Sequence, residues 1–495
     1  FETHLLCYLI FFPLAWGVLG LLIPGERGGG FGKAARYWAL IGTLFTFAIS
    51  LLLFVRYNPG GDEFQLLEKV EWIPAFGASY HVGIDGLSLW LILLTTFLSP
   101  IVVLASFEAI ETRSKEYYFL ILALETGMLG AFVALDLFLF YLFWEAMLIP
   151  MYFLIGIWGG KDRIYAATKF FLFTLVGSLL MLVAVFYLGN QHQLQFGAYS
   201  MNVLDLYNLK LDGGSFVSPQ TLLFLAFALA FAVKVPLFPF HTWLPDAHVQ
   251  APTAGSVILA VVLLKFGGYG FLRFAMPLLP MGVEFFRIPI LILSTIAIVY
   301  GALVAWVQPD IKKLVAYSSV SHMGYVMLGL FALNSIGVTG AAFQMLNHGI
   351  STGGLFLLVG MLYERRHTRE LSEFGGIAKV MPIFSVVLMI MTLSSVALPG
   401  TNGFVGEFLI LLGAWQAQPQ LAVIAGTGVV LGAIYMLLLV QKMIFGPIRK
   451  PENQALLDLT GREMALLLPL VVAVFALGIY PKFILDSMQP SLQRI

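Results

Sequence analysis

A chain of 495 residues that is 60% hydrophobic and only 11% charged is not a string of soluble domains, which are typically about a quarter charged. Its 27 basic and 27 acidic residues cancel, and with no basic tail, Gly-rich phosphate loop or Cys/His array there is no basis for nucleic-acid or nucleotide binding. The single cysteine, Cys7, allows neither an internal disulfide nor an iron–sulfur cluster built from this chain alone.

Apolar stretches of roughly 20 residues recur along the chain, each long enough to cross about 30 Å of hydrocarbon as a helix. About fourteen are expected at that length, centred near Ala15, Phe45, Ile92, Leu124, Phe143, Val176, Ala230, Val262, Ile296, Tyr317, Leu346, Met389, Gly432 and Leu470. The runs are long and do not alternate, which excludes barrel strands and leaves an all-α integral membrane protein. The first segment lacks a small-residue cleavage site and is expected to be a retained helix. Segments 57–83, with Asp62, Glu63, Glu68 and Glu71, and 189–219 are the longest connections and read as polar loops.

The placement of basic residues between segments sets the orientation. With the N-terminus outside, Arg27, Lys33, Arg36, Arg113, Lys115, Lys161, Arg163, Lys169, Lys312, Lys313, Arg365, Arg366 and Arg369 fall in cytoplasmic connections, among others. Arg56, Lys69, Lys210, Arg273, Arg287, Lys482 and Arg494 fall outside. An even segment number then puts both termini on the outer side, that of the periplasm in a bacterial plasma membrane. The short basic connections suit docking to another protein or to lipid headgroups, and equally suit plain solvated loops.

Within the apolar runs a few polar residues stand out, because a charge at the centre of a membrane helix costs roughly 2.5 to 3.5 kcal/mol or more. Glu108 lies near a segment end, suited to a proton path or to an ordinary interface. Glu125 (LALETGML) is a buried acid without an evident partner. Glu145 (FLFYLFWEAMLI) sits mid-segment and needs a basic partner from elsewhere, for which Lys234 is the natural candidate.

Lys234 itself lies in FAVKVPLFPFHTWLPDAHVQ, where Pro236, Pro239 and Pro245 lack amide hydrogens and break the helix, leaving polar backbone for a wet pocket. The proton affinity of a lysine there depends on where a carboxylate stands, which is what a proton switch requires. The alternative is a lysine satisfied by the carbonyls of the break. His241 and His248 flank that break, with His248 expected at the cytoplasmic mouth. Lys265 comes mid-segment in the next helix and reads as a central relay, with Arg273, eight residues on, as the interfacial charge. His322 (SSVSHMGY) and His348 (QMLNHGISTGG) lie in consecutive apolar segments, as packing or relay residues. Glu407 follows a second break at Pro399 and Gly400 (LPGTNGFVGEF) and is placed to close the path. No ligand pair at helical spacing occurs among these residues, and two lysines would repel a cation, so no metal site is expected.

A faint internal repeat aligns Asp136–Ile149 with Asp310–Met323 and GSLLMLV at Gly177 with GGLFLLV at Gly353. The helix breakers near Lys234 and near Gly400 fall at matching places. Paired interrupted helices in two halves are a sequence sign of a transporter-type site.

The segments VKVPLFPFHTWLPDAHVQAPTAGSVILAVVLLKFGGYGFLRF, QPDIKKLVAYSSVSHMGY and LPGTNGFVGEF closely resemble the antiporter-like subunits of respiratory complex I, the proton-pumping NADH:quinone oxidoreductase. The resemblance covers nearly the whole chain. Glu407, where the similar chains L and N carry lysine, makes it most similar to the chain M, or subunit 4, type.

The resemblance implies fourteen helices: three N-terminal ones in 1–110, inverted five-helix repeats in 111–280 (helices 4 to 8) and 281–446 (helices 9 to 13), and a last helix in 447–495. Helices 7 and 12 would be broken. Glu145 and Lys234 would pair, Lys265 would be the central lysine, His322 and His348 part of a hydrated axis, and Glu407 the terminal residue. The implied partners are the other membrane-arm subunits, chains L and N in particular, and lipid. FMN, iron–sulfur clusters and quinone would serve the complex without being bound by this chain.

Two rivals share the family features. An Mrp-type Na+/H+ antiporter subunit is disfavoured by Glu407, where lysine is expected. The membrane subunit of an energy-converting hydrogenase-like complex stays open. A structural scaffold that has lost transport would not keep six costly intramembrane polar residues.

Overall fold

The computed structural model describes residues 4–23 and 32–495; Arg27 lies outside them. Among the described residues eleven helices are long and apolar enough to cross a membrane, and three shorter apolar helices stand beside them. In chain order the elements are α1 (Leu5–Leu21), α2 (Gly32–Arg56), α3 (Gly86–Ala109), α4 (Ser114–Val133), α5 (Leu137–Trp158) and α6 (Arg163–Phe196). Next come α7 in two pieces (Pro219–Lys234 and Trp243–Gln250), α8 (Thr253–Leu278), α9 (Pro280–Trp306), α10 (Ile311–Phe331) and α11 (Ser335–Arg366). The chain closes with α12 in two pieces (Pro382–Ser395 and Asn402–Ala417), α13 (Pro419–Ile444), α14 (Gly461–Ile479) and α15 (Lys482–Gln493).

α8 and α11 are enclosed on every side, whereas α2, α6, α13 and α14 form the rim. Val55, Val176, Val430 and Val472 stand exposed on those rim helices. Such a surface suits lipid, whose tails are as apolar as a protein core.

The interruptions follow from residue chemistry. Pro236 cannot donate to the carbonyl one turn back, so α7 stops at Lys234; Leu237 N bonds Ala232 O instead, at 2.7 Å. The Val233 carbonyl, released from the helix ladder, accepts from the Trp243 indole at 2.9 Å. In α12 the break contains Pro399 and Gly400, and Gly400 has φ +92°, a conformation that glycine alone adopts without strain. α8 carries two π turns, Leu259–Leu263 and Phe271–Ala275, on either side of Lys265; such turns often mark functional positions.

Asp136 caps α5, accepting from Phe138 N at 2.9 Å and Leu139 N at 3.0 Å. Asp310 caps α10 in the same manner through Lys313 N at 3.0 Å. A carboxylate at this position satisfies amides that no helix carbonyl reaches.

Both long connections depart from plain loops: α6 runs on to Phe196, past residue 189, and a short helical turn follows at Val203–Leu206. Between α2 and α3 the chain forms an antiparallel hairpin, β1 (Gln65–Ile73) with β2 (Ala78–Ile84), in which Glu68 faces Val82 and Val70 faces Tyr80. Glu68 is not a solvated loop acid. It is buried and accepts from Leu6 N at 2.8 Å and Cys7 N at 3.2 Å, serving as an anion at the start of α1. The hairpin roofs one end of the bundle: Leu135 N bonds His81 O at 2.8 Å, and His81 Nδ1 donates to Asn202 Oδ1 at 3.1 Å.

Two basic residues expected in connecting loops are buried instead. Arg273 makes a 2.6 Å ion pair with Asp85, the N-cap of α3. Lys312 reaches inward to the Ala251 carbonyl at 2.6 Å. Each found a partner far along the chain, which loop placement cannot reveal.

Candidate functional site

The six intramembrane residues singled out by sequence lie on α5, α7, α8, α10, α11 and α12. Lys234, the last residue of the first piece of α7, is 1% exposed. Its ammonium has no hydrogen-bond partner among the described residues and lies over the Trp144 ring at 5.0 Å and the Phe170 ring at 5.9 Å. The aromatic faces supply part of the attraction that water would have given.

Glu145, beside Trp144 on α5, takes a hydrogen bond from the Ser178 hydroxyl of α6. The two charges act on each other through space, yet no ion pair closes. The expected partners therefore stand apart, one held by a hydroxyl and the other by aromatic rings.

Beyond α7 the polar groups form a connected row. Lys265 Nζ donates to the carbonyl of Ala260, inside the first π turn, at 2.6 Å, and meets His348 Nδ1 at 2.6 Å. The His348 ring lies 5.9 Å from that of His322. His322 Nδ1 bonds Glu407 Oε1 at 2.7 Å, and its Nε2 faces the Ser395 hydroxyl at 3.3 Å. Gln344 Nε2 adds a 3.4 Å contact to the same carboxylate.

α12 comes this close to α11 because residue 406 is glycine: a Cβ there would stand 2.3 Å from Gln344 Oε1. The step between the two histidines contains a cavity of about 10 Å³ lined by His322, His348, Ser351, Ser394 and Ser395. His348 Nε2 has no partner among the described residues. A void of that size has room for about one water, enough to bridge the imidazoles.

The accessory residues separate. Glu108 pairs with Arg462 at 2.8 Å and its side chain is 64% exposed, an interfacial role. His241 is buried between the rings of Phe238 and Tyr300. His248, placed by sequence at the cytoplasmic mouth, is fully buried and stacked on Phe356 at 4.6 Å; the chain re-enters the bundle after the break and carries it inside. Glu125 is fully buried on α4, with neither oxygen hydrogen-bonded among the described residues, and it does not join the row.

Sequence reasoning missed Ser178 and Gln344, and with them the Ser351–Ser394–Asn402 hydroxyl chain, whose two links are both 2.5 Å. Uncharged polar residues are common in membrane helices, so only geometry distinguishes these. Among the described residues no cluster of three His, Cys, Asp or Glu suits a metal ion.

Residues 134–432 match the family model for the NADH:quinone oxidoreductase/Mrp antiporter transmembrane region, and residues 35–130 that for the NADH-ubiquinone oxidoreductase chain 4 amino terminus. The chain is 48% identical to NADH-quinone oxidoreductase subunit M of Rhodobacter capsulatus, covering 99% of this chain and 96% of that one. A chain of the respiratory complex I from Thermus thermophilus, solved with bound NADH, superposes with a TM-score of 0.89 at 34% identity, covering 99% of this chain and 98% of that chain. A chain of the Mrp complex from Dietzia sp. DQ12-45-1b superposes at 0.84 with 21% identity, covering 100% and 97%, which shows a shared fold. With matches of this length and identity, the chain belongs to the family of antiporter-like membrane subunits of NADH:quinone oxidoreductase, on its subunit M, or chain 4, branch.

Proposed function

We propose that this chain is the proton-carrying membrane-arm subunit of an NADH:quinone oxidoreductase, moving protons along the row Lys265, His348, His322 and Glu407. The observation that carries this reading is the pair of short contacts, Lys265–His348 at 2.6 Å and His322–Glu407 at 2.7 Å, with a water-sized cavity between them. Each group in the row can both hold and release a proton.

The separation of Glu145 from Lys234 supplies the switch. Two unit charges brought to about 4 Å attract by about 4 kcal/mol at an effective dielectric of about 20. At about 1.4 kcal/mol per tenfold, the proton affinity of Lys234 rises by less than about a thousandfold, because the separated charges already attract. Closing the pair loads the lysine, and returning Glu145 to Ser178 releases its proton towards Lys265. The driving electron transfer takes place in partner subunits, where the flavin, iron–sulfur clusters and quinone of the complex reside.

The first and second five-helix repeats, α4–α8 and α9–α13, are supported as units by the matched caps at Asp136 and Asp310 and by the breaks in α7 and α12. Chains L and N are the proposed neighbours. The hairpin end is assigned to the outer face of a bacterial plasma membrane, because the basic connections gather at the opposite end, and both termini then lie outside. An Mrp-type exchange function is the lesser reading, since Glu407 gives this row an acidic terminus.

The test is proton translocation and NADH:quinone electron transfer in membranes carrying Glu145→Ala or Lys234→Ala, with assembly followed by native electrophoresis. Both activities fall together in the assembled variants if the switch is obligatory. Assembled variants that pump at the normal rate remove it.

A further inference from the structure

The first piece of α12 stops at Ser395 and the second begins at Asn402, and His322 is bonded to both. Its Nδ1 meets Glu407 Oε1 of the second piece at 2.7 Å, and its Nε2 faces Ser395 Oγ of the first at 3.3 Å. One rigid imidazole reaches both only while the two pieces keep their relative place. The backbone bonds of the break are local: Ala397 N to Ser394 O at 3.2 Å, Leu398 N to Leu393 O at 3.0 Å and Thr401 N to Leu398 O at 3.0 Å. Gly400 follows in the chain, and a glycine leaves it free to swing.

The side chain of Asn402 spans this break. The Ser394 hydroxyl, at the end of the first piece, donates to Asn402 Oδ1 at 2.5 Å, and Asn402 Nδ2 donates to the Asn347 carbonyl of α11 at 3.3 Å. Ser351, also on α11, stands 2.5 Å from Ser394 Oγ and bonds the same Asn347 carbonyl at 3.0 Å. Asn402 and Asn347 are 0% exposed, Ser394 1% and Ser351 4%, so bulk water does not compete for these bonds. A buried polar network whose members bond one another rigidifies the elements that it joins. The pieces also touch directly, since a Cβ at Gly403 would collide with the Ser394 carbonyl oxygen. Ser351, Ser394 and Gly403 are at the same time walls of the water-sized cavity between His322 and His348.

We propose that Asn402 is a positioning residue for the last two proton transfers of the row. It clasps the halves of α12, so that Glu407 stays within reach of His322 and the gap to His348 keeps the width of one water. Asn402 has no ionisable group and carries no proton itself. Proton transfer needs heavy atoms about 2.6 to 3.2 Å apart, so the 2.7 Å contact tolerates a withdrawal of about half an ångström. Without the clasp the second piece is free to move Glu407 out of that range. The inference rests on the proton-carrying function proposed above.

The experiment uses the assembled complex in its own membrane, with turnover divided by the amount of complex found by native electrophoresis. A misplacement of about 1 Å costs on the order of a hundredfold, so Asn402→Ala should lower coupled turnover roughly tenfold to a hundredfold. The KM for quinone should stay unchanged. The ratio of rates in ordinary and heavy water should grow, because proton transfer has become limiting. A residue that only stabilises the fold would reduce the amount of complex and leave that ratio alone. Ser394→Ala cuts the same bond from its other side, so the double variant should be no slower than the slower single one, the mark of two residues acting as a unit.

Should Asn402→Ala fail to assemble, Ser394→Ala, which removes a single oxygen atom, decides by the same readouts. Normal turnover in an assembled variant, or slow turnover with an unchanged isotope ratio, overturns the clasp. Glu407→Gln in the same membranes separates the clasp from the row. If Glu407→Gln is slow while Asn402→Ala is normal, the row stands without this clasp; if both are normal, the row does not end at Glu407.

Discussion

Replacing Asp85 by Asn isolates the worth of the buried pair that holds one end of the Lys265 helix. Arg273 and Asp85 are 3% and 2% exposed by side chain and meet at 2.6 Å. Arg273 also donates to Tyr269 Oη at 3.2 Å, and that hydroxyl bonds the Phe132 carbonyl at 2.8 Å, so the pair fixes the residue one turn from Lys265. Asn remains a good N-cap for α3, which leaves the lost charge as the dominant change. Stranding a buried guanidinium costs about 3 to 5 kcal/mol, whereas replacing both members by uncharged residues is often neutral. Asp85→Asn should therefore melt at a clearly lower temperature than the parent, and Asp85→Asn/Arg273→Met should recover most of the difference. The assay is thermal denaturation of the purified complex, with native electrophoresis to confirm assembly. An Asp85→Asn protein as stable as the parent, or a double variant weaker than the single, would refute the buried-pair reasoning.

Trp243→Phe keeps an aromatic ring, though a smaller one, and removes the indole donor from the Val233 carbonyl. It should cost about 1 to 3 kcal/mol, the penalty for an unsatisfied buried acceptor, seen as lowered thermal stability; an unchanged melting temperature would mean that the break at Lys234 does not depend on that bond. A pH effect is expected at the hairpin, where burial pulls the His81 imidazole below its ordinary value of 6.5 and its bond to Asn202 opposes this only in part. Because the folded value is the lower one, the unfolded chain takes up the proton first, so the stability that neutral His81 contributes is complete above about 6.5 and is lost as pH falls below it. Melting temperatures measured on either side of that value should converge in His81→Gln, and a parent protein without this dependence contradicts the assignment.

What the sequence revealed and what it hid divide along a physical line. Lys234, Lys265, Glu145 and Glu407 stood out because an ionisable group in an apolar run is costly, and the breaks near Pro236 and Gly400 because those residues disrupt helices. The partners were a different matter. Arg273 and Lys312 lie near segment ends, where a basic residue ordinarily meets water or headgroups, and their buried contacts come from Asp85 and Ala251, far along the chain. The β1–β2 hairpin looks like a polar loop in the sequence because its strands mix charges with apolar residues, as in QLLEKVEWI. Glu68 among them caps a helix that begins more than sixty residues earlier. The gap between His322 and His348, and the hydroxyls around it, are legible only in three dimensions, since serines and glycines in membrane helices carry no signal of their own.

The row itself is tested most directly by the number of protons moved per electron pair in membranes carrying Lys265→Ala, beside Lys265→Arg, at confirmed assembly. Proton movement and coupled electron transfer should be lost together in both variants, because neither alanine nor a permanently charged guanidinium passes a proton to His348. Assembled Lys265→Ala that moves protons at the parent's ratio and rate would contradict a path from Lys265 to Glu407.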